Sequence, residues 1–150
     1  MRKTLFVFVS ITLIVFGCKK TDSNQTDNSS LIIKAGYVCG WGSGTDSLEI
    51  TKTAIKYLYF VPSKSSSPQI SKTRSVSSNE WTEIQGDVNT DNFLKLNYQT
   101  CNVCVDGCDE WILIKNDKVS HKITYTKGQK LDTISKLQDK LTQLRAEFNK

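Results

Sequence analysis

The sequence has little of what enzymes use for general acid–base catalysis. It contains one histidine among 150 residues, His121, which lies between Ser120 and Lys122 in a segment that alternates like a strand. We expect this histidine on the exposed face of that strand, opposite Ile123. The sequence also lacks the Gly-x-Ser-x-Gly motif that presents a nucleophilic serine on a sharp turn. We therefore assign no catalytic residue and no cofactor, and we predict that the chain is not an enzyme.

A large excess of charge of one sign is also missing. The chain has 20 basic and 15 acidic residues and a net charge of +5. Without residues 1–17 it loses Arg2 and Lys3, and the net charge falls to +3. The lysines are scattered along the sequence, whereas nucleic-acid-binding domains concentrate their basic residues. A nucleic-acid partner is therefore not expected.

Long apolar runs are absent except at residues 5–16, which follow Arg2 and Lys3. A positive start, an apolar core of about a dozen residues and a small residue before a cleavage site are the parts of a secretory signal peptide. A membrane-spanning helix needs about 20 apolar residues, so this run is too short to be one. The pattern predicts export.

The end of this segment, Val15-Phe16-Gly17-Cys18, resembles the lipobox of bacterial lipoproteins. The resemblance covers residues 1–18 only. It implies that residues 1–17 are removed and that Cys18 becomes a lipidated N-terminus, with acyl chains such as palmitate holding the protein to a membrane. It also implies an exported protein anchored to the bacterial cell envelope, on the periplasmic face or the cell surface.

After residue 17, the amino-acid composition changes once, between residues 30 and 31. Residues 18–30 contain no apolar residue after Cys18, which predicts a disordered tether. Residues 31–150 form a stretch of ordinary length for one domain with one core, with no internal repeat. We therefore expect a signal peptide at 1–17, a lipidated tether at 18–30 and a single domain at 31–150.

Hydrophobic periodicity indicates the α+β class for this domain. Alternating or β-branched segments predict an antiparallel sheet of four or five strands at 31–39, 47–51, 54–61, 111–115 and 119–125. Residues 63–79 are expected to form a surface loop, with at most a weak edge strand near 70–76. Ser77 and Glu80 have the spacing of a capping box, which predicts a short central helix. A C-terminal amphipathic helix is expected on one face of the sheet, from the apolar stripe Leu131, Ile134, Leu137, Leu141, Leu144 and Phe148.

The domain has four cysteines, Cys39, Cys101, Cys104 and Cys108. Disulfides are usual in an exported protein, and four cysteines allow three pairings. The turn-forming pair Asp106-Gly107 favours a Cys104–Cys108 bridge, which leaves Cys39 with Cys101.

Two alternatives give the cysteines a chemical role. Cys39, Cys101, Cys104 and Cys108 have the sulfur ligands that a zinc site uses, and Cys101-x-x-Cys104 has the spacing of a redox-active pair. Calcium at Asp106, Asp109 and Glu110 is a weaker alternative, because the spacing does not match a calcium-binding loop.

The hypothesis that fits these observations is a non-enzymatic, membrane-anchored lipoprotein whose domain binds a protein or a small molecule, with structural disulfides. Metal binding or thiol–redox chemistry at the four cysteines is the alternative. Three tryptophans are candidates for an exposed binding surface, Trp41, Trp81 and Trp111. Of these, Trp41 follows Gly40 in a glycine-rich hairpin loop, where we expect its ring to cover the core.

Overall fold

The computed structural model describes residues 30–61 and 70–148. The predicted signal peptide, Cys18 and almost all of the predicted tether lie outside the described residues, as do Pro62 and residues 63–69 of the predicted surface loop. The described part of the chain forms one sheet with helices, which confirms the α+β class.

Six strands form the sheet, in the order β4-β3-β2-β1-β5-β6. They are β1 (Ile32–Cys39), β2 (Thr45–Ile50), β3 (Ala54–Phe60), β4 (Ile70–Ser75), β5 (Cys108–Lys115) and β6 (Ser120–Thr126). Every neighbouring pair is antiparallel. The count of four or five strands was therefore too low. The additional strand is β4, which is exposed at most positions and so has a weak hydrophobic pattern.

Three helices complete the fold: α1 (Ser78–Asp87), the single turn α2 (Thr90–Phe93) and α3 (Ser135–Phe148). The predicted cap of α1 is present, because the backbone N–H of Glu80 donates to Ser77 Oγ at 3.2 Å. The Glu80 carboxylate does not complete the capping box, since it binds the Arg74 guanidinium instead. Short 3₁₀ turns lie at Gly40–Gly42, Asn102–Val105 and Asp132–Ile134.

The core lies between one face of the sheet and the helices α1 and α3. Alternate strand residues point into it because successive side chains of a strand face opposite ways. From the sheet these are Ile33, Ala35, Leu48, Ile50, Ile55, Tyr57, Ile112, Ile114, Ile123 and Tyr125, and from the helices they include Trp81, Ile84, Leu137, Leu141, Leu144 and Phe148. The predicted stripe is thus confirmed as core, but its first two residues, Leu131 and Ile134, lie before α3, which begins at Ser135. We call the other side of the sheet the open face, because α1 and α3 both pack on the core side. The 3₁₀ turn Asn102–Val105 contacts the open face at one end, through Asp109.

His121 lies on the core side of β6, so its predicted exposure was wrong. Residues two apart in a strand share a face, and His121 accordingly shares one with Ile123. Its Nε2 lies 2.9 Å from the carbonyl oxygen of Leu96, within hydrogen-bonding distance. Its ring meets Phe93 edge-on, with the ring centroids 5.5 Å apart. This histidine therefore attaches the segment after α2 to the sheet.

Candidate functional site

The C-terminal end of β1 and the start of β5 meet at one end of the sheet. Cys39 and Cys108 are direct partners in the β1–β5 register, and a disulfide joins them. Immediately beyond it, the N–H of Gly40 donates to the Gly107 carbonyl at 2.9 Å. A Cβ on Gly40 would come within 2.8 Å of the Asp106 Cα, so this close approach requires glycine. We call this region, from Cys39 to Gly42 and from Cys101 to Cys108, the disulfide end.

The second disulfide joins Cys101 to Cys104 within a 3₁₀ turn. The N–H of Cys104 donates to the Cys101 carbonyl at 3.0 Å, and Asp106 ends the turn in the left-handed conformation, with φ 65°. The predicted pairing of Cys104 with Cys108 and of Cys39 with Cys101 was therefore wrong. The turn at Asp106-Gly107 exists, but it directs Cys108 into β5, where Cys39 is its neighbour.

A buried carboxylate holds the Cys101–Cys104 turn against the sheet. Asp109 accepts hydrogen bonds from Thr100 Oγ1 at 2.7 Å, Asn102 Nδ2 at 2.7 Å and the Val103 N–H at 3.1 Å. Burial opposes ionisation of this carboxyl, but the three donors outweigh burial and lower the pKa of Asp109. Its charge therefore serves to fix the conformation of the turn.

The three acids considered for calcium do not converge. Asp109 is 2% exposed and satisfied by the turn. Glu110 faces the other side of β5, where its carboxylate binds Arg145 at 2.9 Å, and Asp106 is exposed in the turn. Among the described residues, no group of three or more histidine, cysteine, aspartate or glutamate side chains could hold a metal ion. The calcium alternative is therefore not supported, and in the oxidised chain the four cysteines are committed to disulfides.

Large apolar side chains are exposed around the disulfide end. Trp41 is 83% exposed and Val105 is 77% exposed, on two turns that contact each other. Phe60 and Ile70 are each 42% exposed, at the ends of β3 and β4 that border the same end of the sheet. Phe60 lies on the open face, whereas Ile70 pairs with Tyr59 and lies on the core side. Apolar groups held in water at one location are typical of an interaction surface.

The tryptophans separate into three environments. Trp81 fills the core at 4% exposure, and Trp111 is half-buried on the open face, with Lys122 Nζ 5.0 Å from its ring centroid. Trp41 does not cover the core as expected. Its backbone has φ 53°, in the left-handed region that non-glycine residues seldom adopt. The Cys39–Cys108 disulfide and the Gly40–Gly107 hydrogen bond hold the backbone just before Trp41, and the Ser43 N–H donates to the Gly40 carbonyl at 3.3 Å across the turn. This turn presents the Trp41 side chain to solvent.

Next to Phe60, the open face has a shallow cavity of about 310 Å³ lined by Thr45, Asp46, Ser47, Leu58 and Phe60. It lies between β2 and β3, adjacent to the disulfide end. Its lining is a mixture of apolar and small polar residues, and the Asp46 carboxylate points away from it, to Arg145 on the core side of β2. It extends the exposed apolar surface onto the sheet.

Beneath α3 lies a buried ionic cluster. Arg145 Nη2 is 2.9 Å from Glu110 Oε1, and Arg145 Nη1 is 3.4 Å from Asp46 Oδ1. The Tyr37 N–H also donates to Asp46 Oδ1 at 3.1 Å. Burial raises the pKa of Asp46, and Arg145 and Tyr37 only partly offset that effect. This cluster joins α3 to β1, β2 and β5 and is internally paired.

Comparison with known proteins gives no family for this chain: no protein-family model matches it and no curated protein is significantly similar to it. Within residues 30–61 and 70–148, none of the helices has the length and apolar character needed to cross a bilayer. The geometry of the disulfide end is therefore the main guide to function.

Proposed function

We propose that this chain is a non-enzymatic lipoprotein of the cell envelope, anchored through Cys18, whose domain binds a partner protein with its disulfide end. The observation that carries the binding role is the exposure of Trp41 on a turn held by the Cys39–Cys108 disulfide. Tryptophan is enriched among residues that dominate binding energy, because its large ring buries much apolar surface. A backbone turn that is already held in place also loses little conformational entropy on binding.

The surroundings of Trp41 support this role. Val105 lies on the contacting turn, and Phe60 is exposed on the open face at the same end of the sheet. The non-enzymatic part of the proposal is supported by the position of His121. Its imidazole faces the core and is bonded to Leu96, where it has a structural role.

The anchoring part of the proposal is carried by the sequence at residues 15–18 and has its own test. In cells supplied with a palmitate analogue, the wild-type chain should take up the label and fractionate with membranes. The Cys18→Ser variant should take up none. Label retained in Cys18→Ser would contradict lipidation at this residue.

The binding part is tested by photocrosslinking in intact cells. A photoreactive amino acid at position 41 should give one dominant adduct with a second protein, whereas the same amino acid at Gln143, exposed on α3, should not. The adduct should also disappear when Val105→Asp places a charge on the neighbouring turn. Equal adducts from positions 41 and 143, or an adduct insensitive to Val105→Asp, would contradict a binding site at the disulfide end.

A second candidate, thiol–redox activity, is favoured by one observation: Cys101 and Cys104 are both exposed. A thiolate from an external dithiol protein could reach this disulfide, form a mixed disulfide and release the other cysteine as a thiolate. A structural bridge should instead leave no alkylatable thiol in the folded chain and should not be oxidised and reduced repeatedly. Catalytic exchange abolished by Cys101→Ser, with Trp41 dispensable, would favour the redox role over partner binding.

A further inference from the structure

Six lysines lie close together in the structure, although they are scattered in the sequence. They occupy the open face and the β2–β3 and β5–β6 turns, at the end of the sheet opposite the disulfide end. Three of them share one cross-strand row, which reads Lys122, Leu113, Lys34, Glu49, Lys56 from β6 to β3. The other three are Lys115 at the end of β5, Lys52 in the β2–β3 turn and Lys118 in the β5–β6 turn. We call these six lysines and the strand residues between them the basic face.

The positive charge of the basic face is largely uncompensated. Within residues 30–61 and 70–148, the acids among the six lysines are Glu49 in the row and Asp117 in the β5–β6 turn. Glu49 binds Lys34 at 2.5 Å. Lys52, Lys56, Lys115 and Lys118 are exposed and form no salt bridge with a carboxylate of the described chain. Such a surface attracts anions, and the attraction is sensitive to salt.

Apolar side chains lie between the lysines. Ile32 and Leu113 are half-buried on this face, and Trp111 carries Lys122 over its ring. Lysines around tryptophan and aliphatic side chains are typical of surfaces that bind the interface of a bilayer, where the charges meet headgroups and the apolar groups enter the acyl boundary.

The direction of β1 places the basic face next to the route to Cys18. The described chain begins at Ser30, and Ile32 pairs with Lys115. The thirteen residue steps from Cys18 to Leu31 can span at most about 45 Å when fully extended. A lipid on Cys18 would therefore keep the start of β1, which borders the basic face, within about 45 Å of the bilayer. Trp41 lies at the other end of β1, roughly 25 Å away along the eight residues of the strand.

We infer that the basic face is a docking surface for anionic phospholipid in the membrane that holds Cys18, an inference that rests on the proposed anchor. Docking orients the domain with Trp41 and Val105 directed away from the bilayer. Charge complementarity and the short connection to Cys18 favour lipid headgroups over an acidic protein or a nucleic acid.

The test uses the full chain reconstituted into vesicles, with an amine-acetylating reagent and mass spectrometry to measure the labelling rate of each lysine. On vesicles of phosphatidylglycerol mixed with phosphatidylcholine, Lys52, Lys56, Lys115 and Lys118 should label several-fold more slowly than on phosphatidylcholine alone. Lys95, Lys130 and Lys136, which lie elsewhere, should label equally on both. High salt should remove the difference, since the attraction is electrostatic.

A pair of triple variants tests the role of the lysines directly. Replacing Lys52, Lys56 and Lys118 with glutamine should weaken the interaction with anionic vesicles about 100-fold, at about 5-fold for each lysine. The control variant replaces Lys95, Lys130 and Lys136 and has the same net charge, so a loss of the same size there would overturn the inference. Thermal unfolding and disulfide mass confirm that both variants are folded.

Two further outcomes separate this inference from the proposed anchor. Lipid on Cys18 is read from the intact mass, whereas docking is read from lysine labelling, so either one can fail alone. Equal labelling on both kinds of vesicle would overturn the docking surface even when Cys18 carries lipid. Protection of the same lysines by a soluble polyanion but not by anionic vesicles would overturn the assignment to a membrane.

Discussion

Cys39 and Cys108 face each other across neighbouring antiparallel strands, with their Cα atoms 4.1 Å apart and a sequence separation of 69. This bridge connects the β1–β4 part of the sheet to the β5–β6 hairpin, which is separated from it in sequence by both short helices. It also fixes the backbone on which Trp41 is presented. The two disulfides of the domain should therefore differ in their contribution to stability.

Removing the Cys39–Cys108 bridge by a double substitution to serine should lower the free energy of unfolding by about 4 kcal/mol in the chain-entropy model. Removing the Cys101–Cys104 bridge in the same way should cost only about 2 kcal/mol, because it closes a loop with a sequence separation of 3. Urea unfolding of the two double variants and the wild type, without reductant, measures the difference. A larger loss from Cys101 and Cys104 would contradict this ranking.

Arg145 pairs with two carboxylates beneath α3, and its loss should be severe. Arg145→Met leaves Asp46 and Glu110 buried without their cation, which should lower the free energy of unfolding by about 3–5 kcal/mol. Adding Asp46→Asn and Glu110→Gln to Arg145→Met should recover a large part of this loss, as measured by urea unfolding. The control is Arg74→Met, where a guanidinium with 32% side-chain exposure should contribute only about 1 kcal/mol. No recovery in the triple variant would show that Arg145 acts through packing rather than charge.

The Asp109 carboxylate should make the disulfide end sensitive to acid. Its folded-state pKa lies below the ordinary value of 3.8, so its charge contributes stability above that value, and the contribution is lost as the pH falls through the folded pKa. At neutral pH, Asp109→Asn should lower the free energy of unfolding by about 1–3 kcal/mol. The gap between wild type and variant should close below pH 3.8.

Urea unfolding from neutral pH to below pH 3.8 measures this gap. Asp117→Asn, in the exposed β5–β6 turn, provides the control and should change stability by less than about 0.5 kcal/mol. A gap that stays constant over the whole pH range would show that the charge of Asp109 does not fix the turn.

Trp81 and Trp41 should respond oppositely to truncation. Trp81→Ala removes a ring that is 4% exposed and should cost about 3–5 kcal/mol of stability. Trp41→Ala removes a ring that is 83% exposed and should change stability by less than about 0.5 kcal/mol. It should nevertheless weaken partner binding, which separates a binding role from a folding role. Thermal unfolding measures the first effect, and strong destabilisation by Trp41→Ala would contradict the exposed position of the ring.

Local patterns predicted the elements with strong periodicity. The stripe from Leu131 to Phe148 identified the last helix because burial on one side imposes a 3.6-residue period. Ser77 identified the start of α1 because its hydroxyl satisfies a free backbone N–H nearby in sequence. Strand β4 gave only a weak signal, since its stability depends on pairing with β3 and on contacts such as Lys72 Nζ with the Phe148 carbonyl at 2.7 Å.

The functional surfaces depended on contacts that no local pattern encodes. The choice of Cys108 as the partner of Cys39 follows from the β1–β5 register, and the Asp106-Gly107 spacing pointed to a different bridge. Trp41 looked like a core residue because a tryptophan next to an apolar strand usually is one. Its exposure follows from the way in which Gly40 is held to Gly107.

By itself, the sequence determined the α+β class, the amphipathic last helix, the presence of four cysteines suited to disulfides, and the lipobox-like segment that predicts export and anchoring at Cys18. Only the tertiary structure decided which cysteines pair, which tryptophan reaches solvent and how scattered lysines become one basic face. The physical reason is that periodicity and capping act over a few residues. Strand register instead brings residues such as Cys39 and Cys108, or Lys34 and Lys56, together across large sequence separations.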